Sequence, residues 1–169
     1  MIKLEWKKEP LKSFNKKMDN IVQQLPNSVK KGIETALEQT RRLAIQIKPS
    51  GKSDEGILVE MMEGTEIKGR VYTDSQRFPY LVYLEFGTGL YADDEGGGSR
   101  AKKIPWYVHT SMADLSRYNY QIITMGEEQF YVVWGMHPHP YMRPAAFQSR
   151  DSNLEAVQKQ IYETLKEIL

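Results

Sequence analysis

The sequence contains no cysteine, which excludes disulfides, thiolate nucleophiles and every cysteine-based zinc or iron–sulfur site. It has no run of about 18 apolar residues, so nothing in it reads as a membrane-spanning helix. The opening stretch, Met1–Lys8, is polar and holds no apolar signal core. A soluble intracellular setting is therefore expected. Histidine is scarce, with three residues, and net charge is nearly absent: 23 Lys and Arg stand against 22 Asp and Glu, for +1. No global basic field draws the chain onto nucleic acid.

What is present fits a folded domain. With 169 residues, 40% hydrophobic and 27% charged, the chain is sized for one compact domain, or a domain with a trailing arm, and wholesale disorder is excluded. A mean hydropathy of -0.57 points to much exposed surface, or to burial completed against partners. The small net charge hides a sorted distribution. Residues 1–50 carry 11 basic against 5 acidic side chains, a balance of +6, and residues 51–169 carry 12 against 17, a balance of −5. A basic arm and an acidic body suit head-to-tail or arm-exchange contacts between copies. Two solvated, lysine-rich helix faces are the plainer explanation.

Apolar spacing lays out the elements. Leu11, Phe14, Met18, Ile21, Val22 and Leu25 recur at helical spacing until Pro26 interrupts them. Asn27 or Ser28 then offers an N-cap for a second helix over residues 28–48, with Val29, Ile33, Leu37, Leu43, Ala44 and Ile47 on its apolar face. Residues 1–26 accordingly read as a basic arm or helix, and 27–169 as a single domain. Beyond Pro49–Gly56 the period shortens: Ile57, Val59 and Met61 alternate along one strand and Ile67, Gly69 and Val71 along another. Glu63–Glu66 reads as their hairpin connection. Pro79 opens a short helix closed by Gly87. Residues 90–105, with Gly96–Gly98 between acids and bases, form an exposed loop. Ile122 and Thr124, then Phe130, Val132 and Trp134, mark two more strands around Gly126–Gln129. Pro144 suits the first position of a last helix on which Leu154, Val157, Ile161, Leu165 and Ile168 share a face. The expected architecture is α+β, a small antiparallel sheet packed against a long N-terminal helix and a C-terminal helix.

Candidate chemistry is thin. His137 and His139 flank Pro138 in an extended segment, and only His109 remains as a third imidazole, so a structural turn is favoured over a metal site. Gly96–Gly98 lack the spaced Gly-Lys-Ser/Thr of a nucleotide loop, and Asp93, Asp94 and Glu95 beside them repel phosphate. No serine sits in a G-x-S-x-G elbow. The acid pairs Asp54–Glu55 and Asp93–Asp94 lie in loops, with no buried setting to separate their pKa values. Tyr118, Tyr120, Phe130, Tyr131 and Trp134 near Arg117 offer stacking surfaces for bases, yet they alternate as a sheet core does. An interaction protein is expected, with no active site and no cofactor.

Two segments resemble a known family. Tyr80-Leu-Val-Tyr-Leu-Glu-Phe-Gly-Thr88 and Pro140-Tyr-Met-Arg-Pro-Ala145 are similar to the paired motifs of the phage tail-completion and head–tail joining proteins, typified by gene product ten of phage Hong Kong 97. Ser99-Arg-Ala-Lys-Lys-Ile-Pro-Trp106 is similar to a longer-loop subgroup in which a basic cluster precedes Pro-Trp. The likeness covers about residues 28–165. The turn at Asp54-Glu55-Gly56 departs from the usual Thr-Gly-Leu, and Tyr107–Tyr120 reads as an insertion.

The resemblance implies a virion structural protein of the phage neck, not an enzyme, located in the host cytoplasm during assembly. Its partners would be itself, as a ring with six copies preferred and twelve second, and the adjoining tail-terminator or tail-tube and head-connector proteins. It implies no membrane and no specific nucleic acid, although such a ring leaves a passage for DNA. The residues singled out are Tyr80, Tyr83, Glu85, Phe86, Gly87, Thr88, Arg100, Lys102, Lys103, Trp106, Pro140, Arg143 and Pro144. Tyr80, Tyr83 and Phe86 are expected to fill core. Glu85, on a segment otherwise made of core residues, needs a partner: Arg143 is the first choice and backbone amides near Gly87 the second. The sorted charges of Tyr91–Lys103 suit a loop that becomes ordered at a subunit or neck interface. A tail-terminator or connector ring of another type, and a nucleic-acid-binding regulator, are the alternative readings.

Overall fold

The computed structural model describes residues 8–49, 53–62, 64–93 and 103–169. The fold is α+β, with a long N-terminal helix, a C-terminal helix and small antiparallel sheets. The residues group as two compact units. One holds the chain up to Ile47 with Ile57–Tyr72 and Pro144–Leu169; the other holds Lys48–Gly56 and Thr73–Arg143.

In the first unit, helix α1 runs unbroken over Lys8–Ile47, with Pro26 inside it. The expected break at Pro26 is therefore absent, and so is the boundary between a separate arm and the rest. Proline removes one backbone donor and crowds the preceding turn, but packing against the C-terminal helix holds the residues that follow it. Ser28 is no N-cap: its hydroxyl lies within hydrogen-bond distance of Gln24 O and Thr164 Oγ1, at 3.0 and 2.7 Å. Buried Ser28, Gly32, Ala36, Thr40 and Ala44 recur every fourth residue, which leaves a shallow stripe for a second helix. That helix is α4, Arg150–Ile168. It lies antiparallel along the stripe, with Val157 against Gly32 and with Asn153 and Ser149 bonded to Thr40. Toward the N-terminus the stripe's apolar continuation is not covered: Leu11, Phe14, Met18 and Val22 are exposed. Strands β1 (Ile57–Met62) and β2 (Lys68–Thr73) pair in this unit, and Glu63 of their expected connection lies outside the described residues.

Because Pro26 is exposed within a formed helix, Pro26→Ala is expected to stabilise the protein by about 2 kcal/mol, through the restored donor and relieved crowding. Thermal unfolding checks this, and a lower midpoint would contradict it.

In the second unit helix α2 spans Tyr80–Phe86, opened by Pro79 and closed by Gly87, whose N–H donates to Tyr83 O at 2.7 Å. Strand β3 (Thr88–Gly89) follows. Strand β4 (Trp106–His109) occupies part of the segment read as an insertion; its strand character was not anticipated, because four residues are too few to display a period. Strands β5 (Gln121–Met125) and β6 (Glu128–Val133) form a hairpin through two residues, Gly126 and Glu127, not the four expected, with Gly126 at φ 67°. Strand β7 (Gly135–Met136) pairs with β3, and β4, β6 and β5 form a three-stranded antiparallel sheet in that order. The inward residue of β5 is Ile123, while Ile122 and Thr124 are exposed; Trp134 lies just past β6, also exposed. The last helix is divided at Ser149, so that α3 spans Met142–Gln148 and Pro144 is its third residue, not its first. Leu154 of the expected α4 face is exposed.

Candidate functional site

The two motif segments meet in the second unit over one carboxylate. Helix α2 carries Glu85 on its buried side, 4% exposed. Chain entering α3 aims three consecutive backbone N–H groups at it. Tyr141 and Met142 donate to Oε2 at 2.6 and 2.9 Å, and Arg143 donates to Oε1 at 3.2 Å. These are donors at a helix start, which have no partner within the helix itself; the fourth position is Pro144, which has no N–H to satisfy. The amides that hold Glu85 thus come from residues 141–143 and not from the turn at Gly87.

Arg143 adds a charged contact. Its Nε donates to Glu85 Oε1 at 3.1 Å and its Nη1 to Asp93 Oδ2 at 2.8 Å, and its guanidinium lies 5.2 Å from the Phe86 ring centroid. Asp93 is fixed in turn by its own N–H donating to Phe86 O at 2.7 Å. The arrangement is a clip: an anion, a cation and a second anion tie helix α2, the chain after β3 and the start of α3 together. Such charge-assisted bonds are shorter and stronger than neutral ones. Among the described residues these contacts hold backbone segments in place.

The remaining motif residues support the clip. Gly87 has φ 73°, and a Cβ there would fall 2.6 Å from Met136 O, so both its backbone angle and its space favour glycine. Thr88 Oγ1 accepts from Met136 N–H at 3.0 Å. Tyr83 and Phe86 are half-buried, but Tyr80 is 45% exposed and does not fill core. It occupies the first turn of a short helix, one residue before the fully buried Leu81. Pro140 and Lys103 are exposed and Trp106 is half-buried on β4. Arg100, Lys102 and most of the charged loop (residues 94–102) lie outside the described residues.

Tyr141 is fully buried and its hydroxyl donates to Leu81 O at 3.4 Å. Burial, then the Glu85 charge, then Tyr80 push its ionisation far above the ordinary tyrosine value. As pH rises through about 10, the unfolded chain releases this proton while the folded chain keeps it, so stability falls with pH there. Tyr141→Phe is expected to flatten that alkaline decline and to cost about 1 kcal/mol at neutral pH. Denaturant unfolding across pH measures both, and an unchanged alkaline slope would contradict the assignment.

The histidines do not converge. His137 stacks on Tyr91 with ring centroids 3.9 Å apart, while His139 donates its backbone N–H to Leu84 O at 2.7 Å. Among the described residues no three His, Asp or Glu side chains are grouped to hold a metal. Of the acids read as solvated loop pairs, Asp54 meets Lys48 at 3.0 Å and Asp93 meets Arg143.

Sequence reasoning missed a cavity of about 720 Å³ in this unit, walled by Tyr91, Tyr118, Tyr120, Gln121, Val132 and Trp134 among others. Of the aromatic residues whose spacing alternates like a sheet core, only Tyr131 is buried; Tyr118 and Trp134, which wall the cavity, are exposed. The available signal was the pairing of Tyr118 and Tyr120 just before a strand, with Trp134 just after the next.

No known family, curated protein or solved structure matches this chain.

Proposed function

We propose that this chain is a structural subunit of a phage neck, which completes the tail and joins it to the head connector as a ring. The observation that supports this reading best is the clip itself. The two segments on which the family resemblance rests lie more than 50 residues apart in sequence, yet Glu85 of one is bonded to Tyr141, Met142 and Arg143 of the other. Motif residues that hold backbone in place suit a protein whose work is assembly. The reading assigns no catalysis and no cofactor to the chain. Among the described residues no helix is long and apolar enough to cross a membrane.

The charge pattern and exposed surfaces agree with a subunit that completes its burial against neighbours. Leu11, Phe14, Met18 and Val22 lie exposed at helical spacing along one face of α1, an apolar stripe of the kind that marks interaction surfaces. A nucleic-acid reader fits less well. On α1, Glu38 pairs with both Arg41 and Arg42, at 3.1 and 3.3 Å, and so offsets part of the cationic charge a phosphate backbone would need.

The reading is tested by deleting the gene in the phage that encodes it. Filled heads and finished but unjoined tails are expected, with joining restored by adding the purified protein. Joined, infectious particles from the deletion would reject it.

A further inference from the structure

We propose that copies of this chain associate edge to edge through the three-stranded sheet, β5 of one copy receiving β4 of the next, with the incoming Tyr107 seated in the aromatic cavity. The proposal rests on the ring reading for the number of copies, while the pairing stands on the sheet itself.

The order β4-β6-β5 leaves two edges. Thr110 N–H donates to Gln129 O at 3.0 Å, and alternation along an antiparallel pair then turns Trp106 and Val108 toward β6 and the backbone groups of Tyr107 and His109 outward. On the other side Gln121, Ile123 and Met125 bond across to Val132, Phe130 and Glu128, so Ile122 and Thr124 turn outward. Among the described residues no other strand receives either set.

Neither edge is guarded. Exposed edges are ordinarily protected by lysine, other charges or proline, yet Trp106–His109 and Gln121–Met125 contain none of these. Each edge also carries an exposed large apolar side chain, with Tyr107 52% and Ile122 48% exposed. One sheet with two bare, uncharged edges is matched by a second copy of itself.

Direction selects how the copies meet. Both β4 and β5 are antiparallel to β6, so they point the same way. Repetition about a rotation axis therefore pairs β5 with the next β4 in parallel, and each added copy presents a fresh edge until the ring closes. A two-fold pairing of β5 with β5 would instead be antiparallel and stop at two copies.

The cavity fits this register. Tyr107, Val132 and Gln121 form one row across the sheet with side chains on one face. Continuing the row places Tyr107 of the next copy beside Gln121, at the cavity that Val132 and Trp134 also line. Its preceding Ile104 and Pro105 come level with Tyr118 and Asn119. Among the described residues no Lys, Arg, Asp or Glu lines the cavity, and a phenol ring packs well against edges and faces of other aromatics.

The absence of cysteine makes the test clean. Val108 and Ile122 share the Tyr131 row, two strands and about 10 Å apart within one copy, which is beyond the roughly 7 Å reach of a disulfide. The full chain carrying both Val108→Cys and Ile122→Cys, concentrated and mildly oxidised, is expected to give a ladder extending past the dimer on a non-reducing gel. Either substitution alone should give almost none. Adding Thr124→Lys, at an exposed edge position, or Tyr107→Ala should each reduce the ladder about tenfold, with circular dichroism unchanged. A double variant that stays monomeric, a dimer formed equally by Ile122→Cys alone, or a ladder indifferent to both added substitutions would overturn the proposal. A ladder from a chain absent from particle necks would remove the neck reading and leave the pairing. A neck ring of copies that give no ladder would do the reverse.

Discussion

Replacing Glu85 by alanine should destabilise the protein by on the order of 3–5 kcal/mol, the largest effect expected of any single side chain here. The carboxylate accepts from three backbone N–H groups and from the Arg143 guanidinium. Removing it leaves those donors in a place water reaches poorly, and each unmade bond to a buried group costs about 1–3 kcal/mol. Glu85→Gln keeps an acceptor of the same shape and should cost less than Glu85→Ala. Arg143→Met should cost only about 1–2 kcal/mol, because the arginine side chain is 39% exposed and solvent already screens part of the pair. Denaturant midpoints for the three variants give the order. A loss below about 1 kcal/mol for Glu85→Ala would show that water replaces the carboxylate and that the clip holds little.

Gly135→Ala should be the next most damaging change, at about 3 kcal/mol or more. Gly135 has φ 145°, and a Cβ on it would stand 2.0 Å from Thr88 O and 2.9 Å from Thr88 C. Both obstacles are backbone of the paired strand, which cannot swing aside as a side chain would. The register Gly89 to Gly135 depends on this close approach. Gly126→Ala is the matched control: it also has positive φ, 67°, but open space around it, so only about 1 kcal/mol of backbone strain is expected. Equal losses at the two positions would mean that the steric contact is unimportant.

How much of this was legible in the sequence depended on the range of the cause. Helix α2 was readable because both its signals are local: Pro79 sets a favourable first-turn angle and Gly87 supplies the positive φ after the last turn. Strands β1 and β2 showed their alternation directly. Pro26 misled because its local cost is real but is outweighed by the packing of Ser28 to Ala44 against α4, a contact between residues more than 100 apart in the chain. The stripe that makes this contact consists of Ser, Gly, Ala and Thr, so a search for large apolar residues passes over it. The Glu85–Arg143 contact could be anticipated from charge on a buried segment. The three amides that share the carboxylate could not, because they belong to backbone whose course only the fold determines. The aromatic cavity was hidden for a related reason: Tyr118 and Trp134 alternate as core residues do, and nothing local reveals that their neighbours stop short of covering them.

Electron microscopy of purified particles, with this chain carrying a small visible tag at an exposed position, tests the central claim most directly. A ring of copies at the junction of head connector and tail tube, six preferred, is the expected result. Particles with an intact neck and no density for this chain there would contradict it.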